Sequence, residues 1–161
     1  MTLSCLNIKT ALMEEILTKE FIEKADGAFK NARKESLKEL FELGRMSISE
    51  PKGEWVLQKG IMPHYQSGGT VGSRINKLLY QLDFIIAFDW GNWDEGKRLA
   101  EPENRNGIAN QPVHILIALL TNIVRADRFN EGLYDGFIED GFIAVILEAL
   151  EKHFFKKNIT L

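Results

Sequence analysis

The sequence predicts an all-α fold: a single compact domain of about six or seven helices around one central buried helix. Three observations carry this reading. Apolar residues recur at three- and four-residue spacing over most of the chain. No stretch sustains the two-residue alternation of a half-buried strand. Residues 113–126, VHILIALLTNIVRA, are apolar on nearly every side, so that helix needs neighbours around its whole circumference and belongs at the centre.

From Thr10 to Lys24, the residues Leu12, Met13, Ile16, Leu17 and Phe21 follow helical spacing, with Glu14, Glu15, Lys19 and Glu23 opposite. Asp26 and Gly27 punctuate this helix. Phe29, Ala32, Leu37, Leu40 and Phe41 mark a second one, and Gly44 suits its C-terminal cap. Together they make an N-terminal hairpin over residues 1–44. Lys30, Arg33, Lys34 and Lys38 are interleaved with Glu35, Glu39 and Glu42 at ion-pairing distances, which marks a solvated face rather than a nucleic-acid stripe.

Residues 45–72 lose the pattern at Pro51, Gly53, Gly60, Pro63, Gly68, Gly69 and Gly72, giving a long irregular loop or a short hairpin. Trp55, Met62, His64 and Tyr65 supply the apolar surface that fastens it over the helices. Its end, GGTVGSR, resembles an anion-binding turn because backbone N–H groups at a helix start attract negative charge. It lacks the lysine and spacing of a P-loop, and Ser73 as a plain N-cap accounts for the residues equally well.

Ile75, Leu78, Leu79, Leu82, Ile85 and Ile86 form the next helix, which runs out at FDWGNWDEG. There Asn92 with Glu95 suits a capping arrangement for a short helix through Leu99. Trp90 and Trp93 bracket the turn, either as core plugs or as walls of a ligand pocket. Glu101, Pro102 and Asn106-Gly107 mark a connection, and Asn110 with Pro112 marks the start of the central helix. Beyond Gly132 come a short helix over 133–140, an interruption at Gly141, and a last amphipathic helix built on Phe142, Ile143, Ile146, Leu147, Leu150 and Phe154. Lys156 and Lys157 suit its C-terminal dipole.

A chain of 161 residues buries about two-thirds of its unfolded surface on folding, enough for one domain over 1–161. Twenty basic against 23 acidic residues leave a net charge of -3, without the basic excess of phosphate-dominated nucleic-acid binding. Cys5 is the only cysteine, so neither a disulfide framework nor a thiolate metal cage is expected, and a cytoplasmic protein fits best. The N-terminus does not read as a secretion signal, and His114, Thr121 and Asn122 break the longest apolar run, so membrane insertion is not expected either. His64, His114 and His153 lack ligand spacing. A metal site would need His64 and Asp89 to meet other carboxylates, and no metal or cofactor is expected. No serine sits in a G-x-S-x-G elbow, so nucleophilic catalysis has no motif.

Three stretches resemble a known family. MPHYQ at 62–66, FDWGNW at 88–93, and LLTNIVRADRFNEG at 119–132 followed by GFIAVILEAL are similar to an uncharacterised prokaryotic family of short proteins. Its members carry an aromatic-proline loop, an F-D-W-x-x-W turn and an I-V-R-x-D-R-F-x-E-G corner. The likeness covers about residues 55–152, essentially the helical core of about 55–155, and omits the N-terminal hairpin. It implies a bacterial or phage origin and no catalytic residues. Where members tend to place an aromatic and a proline after the MPHY-like stretch, this chain has Gln66-Ser67-Gly68-Gly69, which implies a loop of different shape.

Two groups of residues are candidates for function. The first is the charged corner Arg125, Asp127, Arg128 and Glu131, with Asp89, at the end of the central helix. An unpaired buried ion costs several kcal/mol, so at least one arginine should bond to Asp89, Asp127 or Glu131, with Phe129 turned inward beneath them. The second group is Met62, His64, Tyr65, Trp90 and Trp93 as a pocket wall. The reading that follows is a cytoplasmic helical binding or regulatory protein, associated with a phage or mobile element, acting through a protein partner or small anionic ligand rather than by chemistry. The alternative is an enzyme acting on a nucleotide or phosphorylated substrate, with the arginines as clamp and Asp127 or Glu131 as base.

Overall fold

The helix Val113–Ala126 buries Ile115 to Thr121 without interruption, and Ile123 and Val124 after them. In the computed structural model, which describes residues 16–159, it is surrounded as its composition requires. Around it the chain forms α1 (Lys19–Asn31), α2 (Lys34–Ser47), β1 (Glu54–Val56), β2 (His64–Gln66), α3 (Val71–Gln81), α4 (Asp94–Ala100), α6 (Leu133–Glu139) and α7 (Phe142–Ile159), the central helix being α5. Two 3-10 segments, Trp90–Asn92 and Pro102–Asn110, flank α4. α5 packs against α1, α4, α6, α7 and the first 3-10 turn, while α2 lies against α3 and α7. Predominantly helical architecture around α5 is therefore what the sequence specifies. Among the described residues no helix is long and apolar enough to cross a membrane.

The N-terminal boundaries differ from the sequence reading. The proposed helix residues Leu12 and Met13, and Cys5, lie outside the described residues. α1 starts after Thr18, whose Oγ1 accepts the Phe21 N–H at 3.1 Å. It then runs straight through Asp26 and Gly27 and turns at Ala32. Phe21, Ala25 and Phe29 form one buried stripe across that point, and their packing outweighs the roughly 1 kcal/mol that a glycine costs a helix relative to alanine. Gly44 is not a cap either. It sits inside α2, where an added Cβ would lie 3.0 Å from Leu147 Cδ1 of α7, so its small size serves helix–helix approach. Beside it Arg45 ties the two helices, with Nη1 at 2.8 Å from both oxygens of Glu151 and Nη2 at 2.9 Å from Glu42.

α3 ends at Gln81, so Ile85 and Ile86 are not helical. Asp83 takes the left-handed conformation, φ 60°, and closes the helix as glycine usually does. Its N–H bonds to Tyr80 O at 3.1 Å and that of Phe84 to Leu79 O at 2.9 Å. The chain then passes along α5, held by buried Thr121, whose hydroxyl donates to Phe84 O at 3.0 Å and accepts from Ile86 N at 3.2 Å. Asn92 does not cap α4; its amide donates to Asp89 Oδ2 at 3.0 Å. Trp93 is buried over Gly96 and meets the Phe88 ring edge-on at 5.5 Å.

The irregular stretch contains the chain's one short sheet among the described residues. β1 and β2 pair antiparallel in the register Glu54↔Gln66, Trp55↔Tyr65 and Val56↔His64. Three-residue strands are too short to show an alternation in sequence.

Candidate functional site

The GGTVGSR turn does bind an anion, and the anion is the chain's own Glu50. Its Oε1 accepts the Val71 N–H at 2.8 Å at the start of α3. Gly69 permits this approach, since a Cβ there would fall 2.2 Å from the same oxygen. Ser73 is not the N-cap; it lies within the first turn, its hydroxyl donating to Thr70 O at 2.9 Å.

The same device recurs across the hairpin. Glu139, at the end of α6, accepts the Gly53 N–H at 2.6 Å and the Tyr65 hydroxyl on Oε1. Glu131 accepts the Tyr65 N–H at 3.2 Å. Gly132 lies between them at φ 90°, a conformation that favours glycine, with Trp55 and Tyr65 packed over it. Trp55 in turn meets the Tyr65 ring edge-on at 5.7 Å. Between hairpin and corner opens a cleft of about 410 Å³, walled by Trp55, Tyr65, Phe137, Glu131, Glu139 and Asp140.

Negative charge is concentrated around it. The hydrogen bond to Glu139, followed by burial and the charges of Glu139 and Asp135, pushes the Tyr65 phenol up to about 12. Asp135, one turn before Glu139 on α6, has its carboxyl raised above the usual value by burial and by the charges of Asp127 and Glu139, against an opposing contribution from Ser67. Burial raises the Tyr134 phenol as well, with its hydroxyl donating to Gly72 O at 2.5 Å. Among the described residues one cation reaches this group: Arg105 Nη2 lies 2.7 Å from Asp140 Oδ2 and its guanidinium sits 4.7 Å over the Phe142 ring.

The charged corner is not assembled as the sequence suggests. Asp127 Oδ1 accepts the Tyr134 N–H at 3.0 Å, capping α6, and Asp89 accepts from Asn92. Neither Arg125 nor Arg128 forms an ion pair with a carboxylate among the described residues. Arg128 is exposed, and Arg125 faces a different concavity, a wide groove of about 950 Å³ shared with Lys24, Arg33 and Asp83. Asp127 and Glu131 pair with backbone N–H groups and Asp89 with the Asn92 side-chain amide, so they do not need the arginines. Phe129 points outward, 83% exposed, its ring 6.1 Å from that of Trp90. It follows the end of α5 at Ala126, beyond Val124, the last residue that helix buries.

The pocket wall is likewise divided. Tyr65 belongs to the cleft, Trp93 to the core, Trp90 to the Phe129 contact, and Met62 is exposed beside His64, whose Nδ1 lies 3.2 Å from Met62 O. Glu139, Asp135 and Glu50 were not singled out by the sequence, because a carboxylate that bonds a backbone N–H 86 residues away leaves no local spacing. The sequence marks Trp55 as an aromatic that fastens the loop, not as a wall of the cleft. No group of three or more His, Cys, Asp or Glu is arranged to hold a metal among the described residues.

No curated protein and no solved structure matches the chain. A family model does, and it begins earlier than the motifs at 62–66, 88–93 and 119–132, taking in α2, which the likeness read from those motifs left out. With residues 34–155 matched, the chain belongs to the family of unknown function DUF6508.

Proposed function

We propose that this is a cytoplasmic binding module that docks a partner polypeptide on the face formed by the hairpin and the α5–α6 corner. One observation carries the reading. Trp55, Leu57, Ile61 and Met62 of the hairpin, and Phe129 of the corner it packs on, are half or more exposed, whereas elsewhere among the described residues only Ile48 and Phe155 of the large apolar side chains are so exposed. Exposed aromatic and methionine side chains are the residue types that anchor protein interfaces. The rival reading, an enzyme acting on a nucleotide or phosphorylated substrate, relies on two arginines converging with the corner carboxylates, and that clamp is not formed.

The test is selection of a random dodecapeptide library on the full chain, followed by binding of the enriched peptides to a Met62→Asp, Phe129→Asp double variant. Both positions are exposed, so the variant should fold normally by circular dichroism. Loss of binding by at least about tenfold is the expected outcome, equivalent to about 1.4 kcal/mol. Peptides that bind the variant as well as the wild type use another face and overturn the proposal.

A further inference from the structure

The docking face has a polar floor whose chemistry narrows what it can receive. We infer that the cleft beneath Trp55 takes the cationic end of an arginine or lysine side chain presented by the partner, an inference that rests on the docking reading above.

The argument is one of complementarity. Trp55 is half exposed at the cleft, so aromatic surface borders it, and an aromatic face attracts a guanidinium or ammonium ion. Glu131, Glu139 and Asp140 line the same cleft, and among the described residues no lysine or arginine does. Arg105 neutralises Asp140. Glu131 and Glu139 each use Oε1 to hold the hairpin, and among the described residues the second oxygen of each accepts no hydrogen bond. Two acceptors thus remain on carboxylates already fixed in place by structural hydrogen bonds. Asp127 and Asp135 add charge of the same sign to that of Glu139, and among the described residues Arg125 and Arg128 pair with none of these groups.

Other occupants fit less well. A second copy meeting the same face would bring its own Glu131 and Glu139 toward these, and like charges brought together across an interface are costly. A phosphate backbone would be repelled for the same reason. A peptide carrying a basic residue among apolar ones satisfies both the exposed side chains and the carboxylates.

Small probes test the cleft separately from the apolar face. The full chain, labelled with nitrogen-15, is titrated with butylguanidinium, butylammonium and the neutral, near-isosteric butylurea. The Trp55 indole N–H and the Gly132 and Gly136 amides are followed, Trp55 being assigned from a Trp55→Phe variant. At least one cation should shift these signals saturably and bind at least about tenfold more tightly than butylurea, as aromatic and carboxylate contacts together permit. Guanidinium preference identifies arginine and ammonium preference lysine. Glu131→Gln should weaken the preferred cation severalfold while leaving the hairpin docked, because glutamine still offers an oxygen to the Tyr65 N–H. Equal binding of butylurea, or no saturable shift with either cation, overturns the cation site. The docking reading is unaffected by that result and stands or falls on the Met62→Asp, Phe129→Asp comparison.

Discussion

The two sides of this molecule are held by different forces. Around α5 the chain is secured by apolar packing with a few fully satisfied polar groups, as at Thr121. The hairpin face is secured by carboxylates reaching from α6, the α5–α6 corner and the preceding loop to backbone N–H groups and one phenol. The first kind of cohesion is spread over many contacts and involves nearly the whole chain. The second is concentrated in three glutamates, so its loss should stay local and leave the rest folded.

The contrast is sharpest between two tryptophans. Trp93→Ala should cost about 3–5 kcal/mol by chemical denaturation, since it empties a buried indole site. Trp55→Ala should cost no more than about 1.5 kcal/mol, the scale of its edge-on contact with Tyr65. Similar costs for the two would abolish the distinction.

Next in size is Thr121→Val, which keeps the shape but leaves the Phe84 carbonyl and the Ile86 N–H without their partner. A loss of about 1–3 kcal/mol is expected from denaturation curves. No measurable loss would show that the segment after α3 is not held by this hydroxyl.

Glu139→Ala, which removes the acceptor for both the Gly53 N–H and the Tyr65 hydroxyl, should leave global stability almost unchanged while amides of residues 53–66 exchange faster with solvent. Protection within α5 should stay at the wild-type level. Faster exchange spread equally over both regions would mean that the hairpin is part of the same cooperative unit as the core.

The smallest effect is one of pH. The Tyr65 phenol is raised in the folded state, so the stability its hydrogen bond to Glu139 contributes is fully present below about pH 10 and is lost as pH rises through about 12. The difference in phenolate absorbance between wild type and Tyr65→Phe should place the midpoint near the upper value. A midpoint at the ordinary tyrosine value would show that the hydroxyl is not held.

These differences also explain what could be read in the sequence. Ile115, Leu116, Leu119, Leu120 and Ile123 repeat at helical spacing because one helix buries them all, so α5 was visible with its boundaries. The ends of α1 and α3 were not, because Phe29 continues a buried stripe past Gly27 and Asp83 does the work of a glycine. At the candidate site, Glu131 and Tyr65 were singled out separately, and the sequence could not show that they meet. The arginines drew attention by their density in sequence, but a carboxylate near a helix end can be satisfied by the backbone, as Asp127 is.

The family match begins at Lys34, yet α1 lies wholly before it and delivers Phe21, Ala25 and Phe29 to the interior. Phe21 stands 4.8 Å from Phe88, and Phe29 stands 6.3 Å from Phe84, both of them residues that the family match includes. The stretch that defines kinship is therefore smaller than the stretch that folds. A fragment cloned from Lys34 onward would carry a wet apolar flank along α5 and should aggregate, whereas one begun ahead of Thr18 keeps that flank dry.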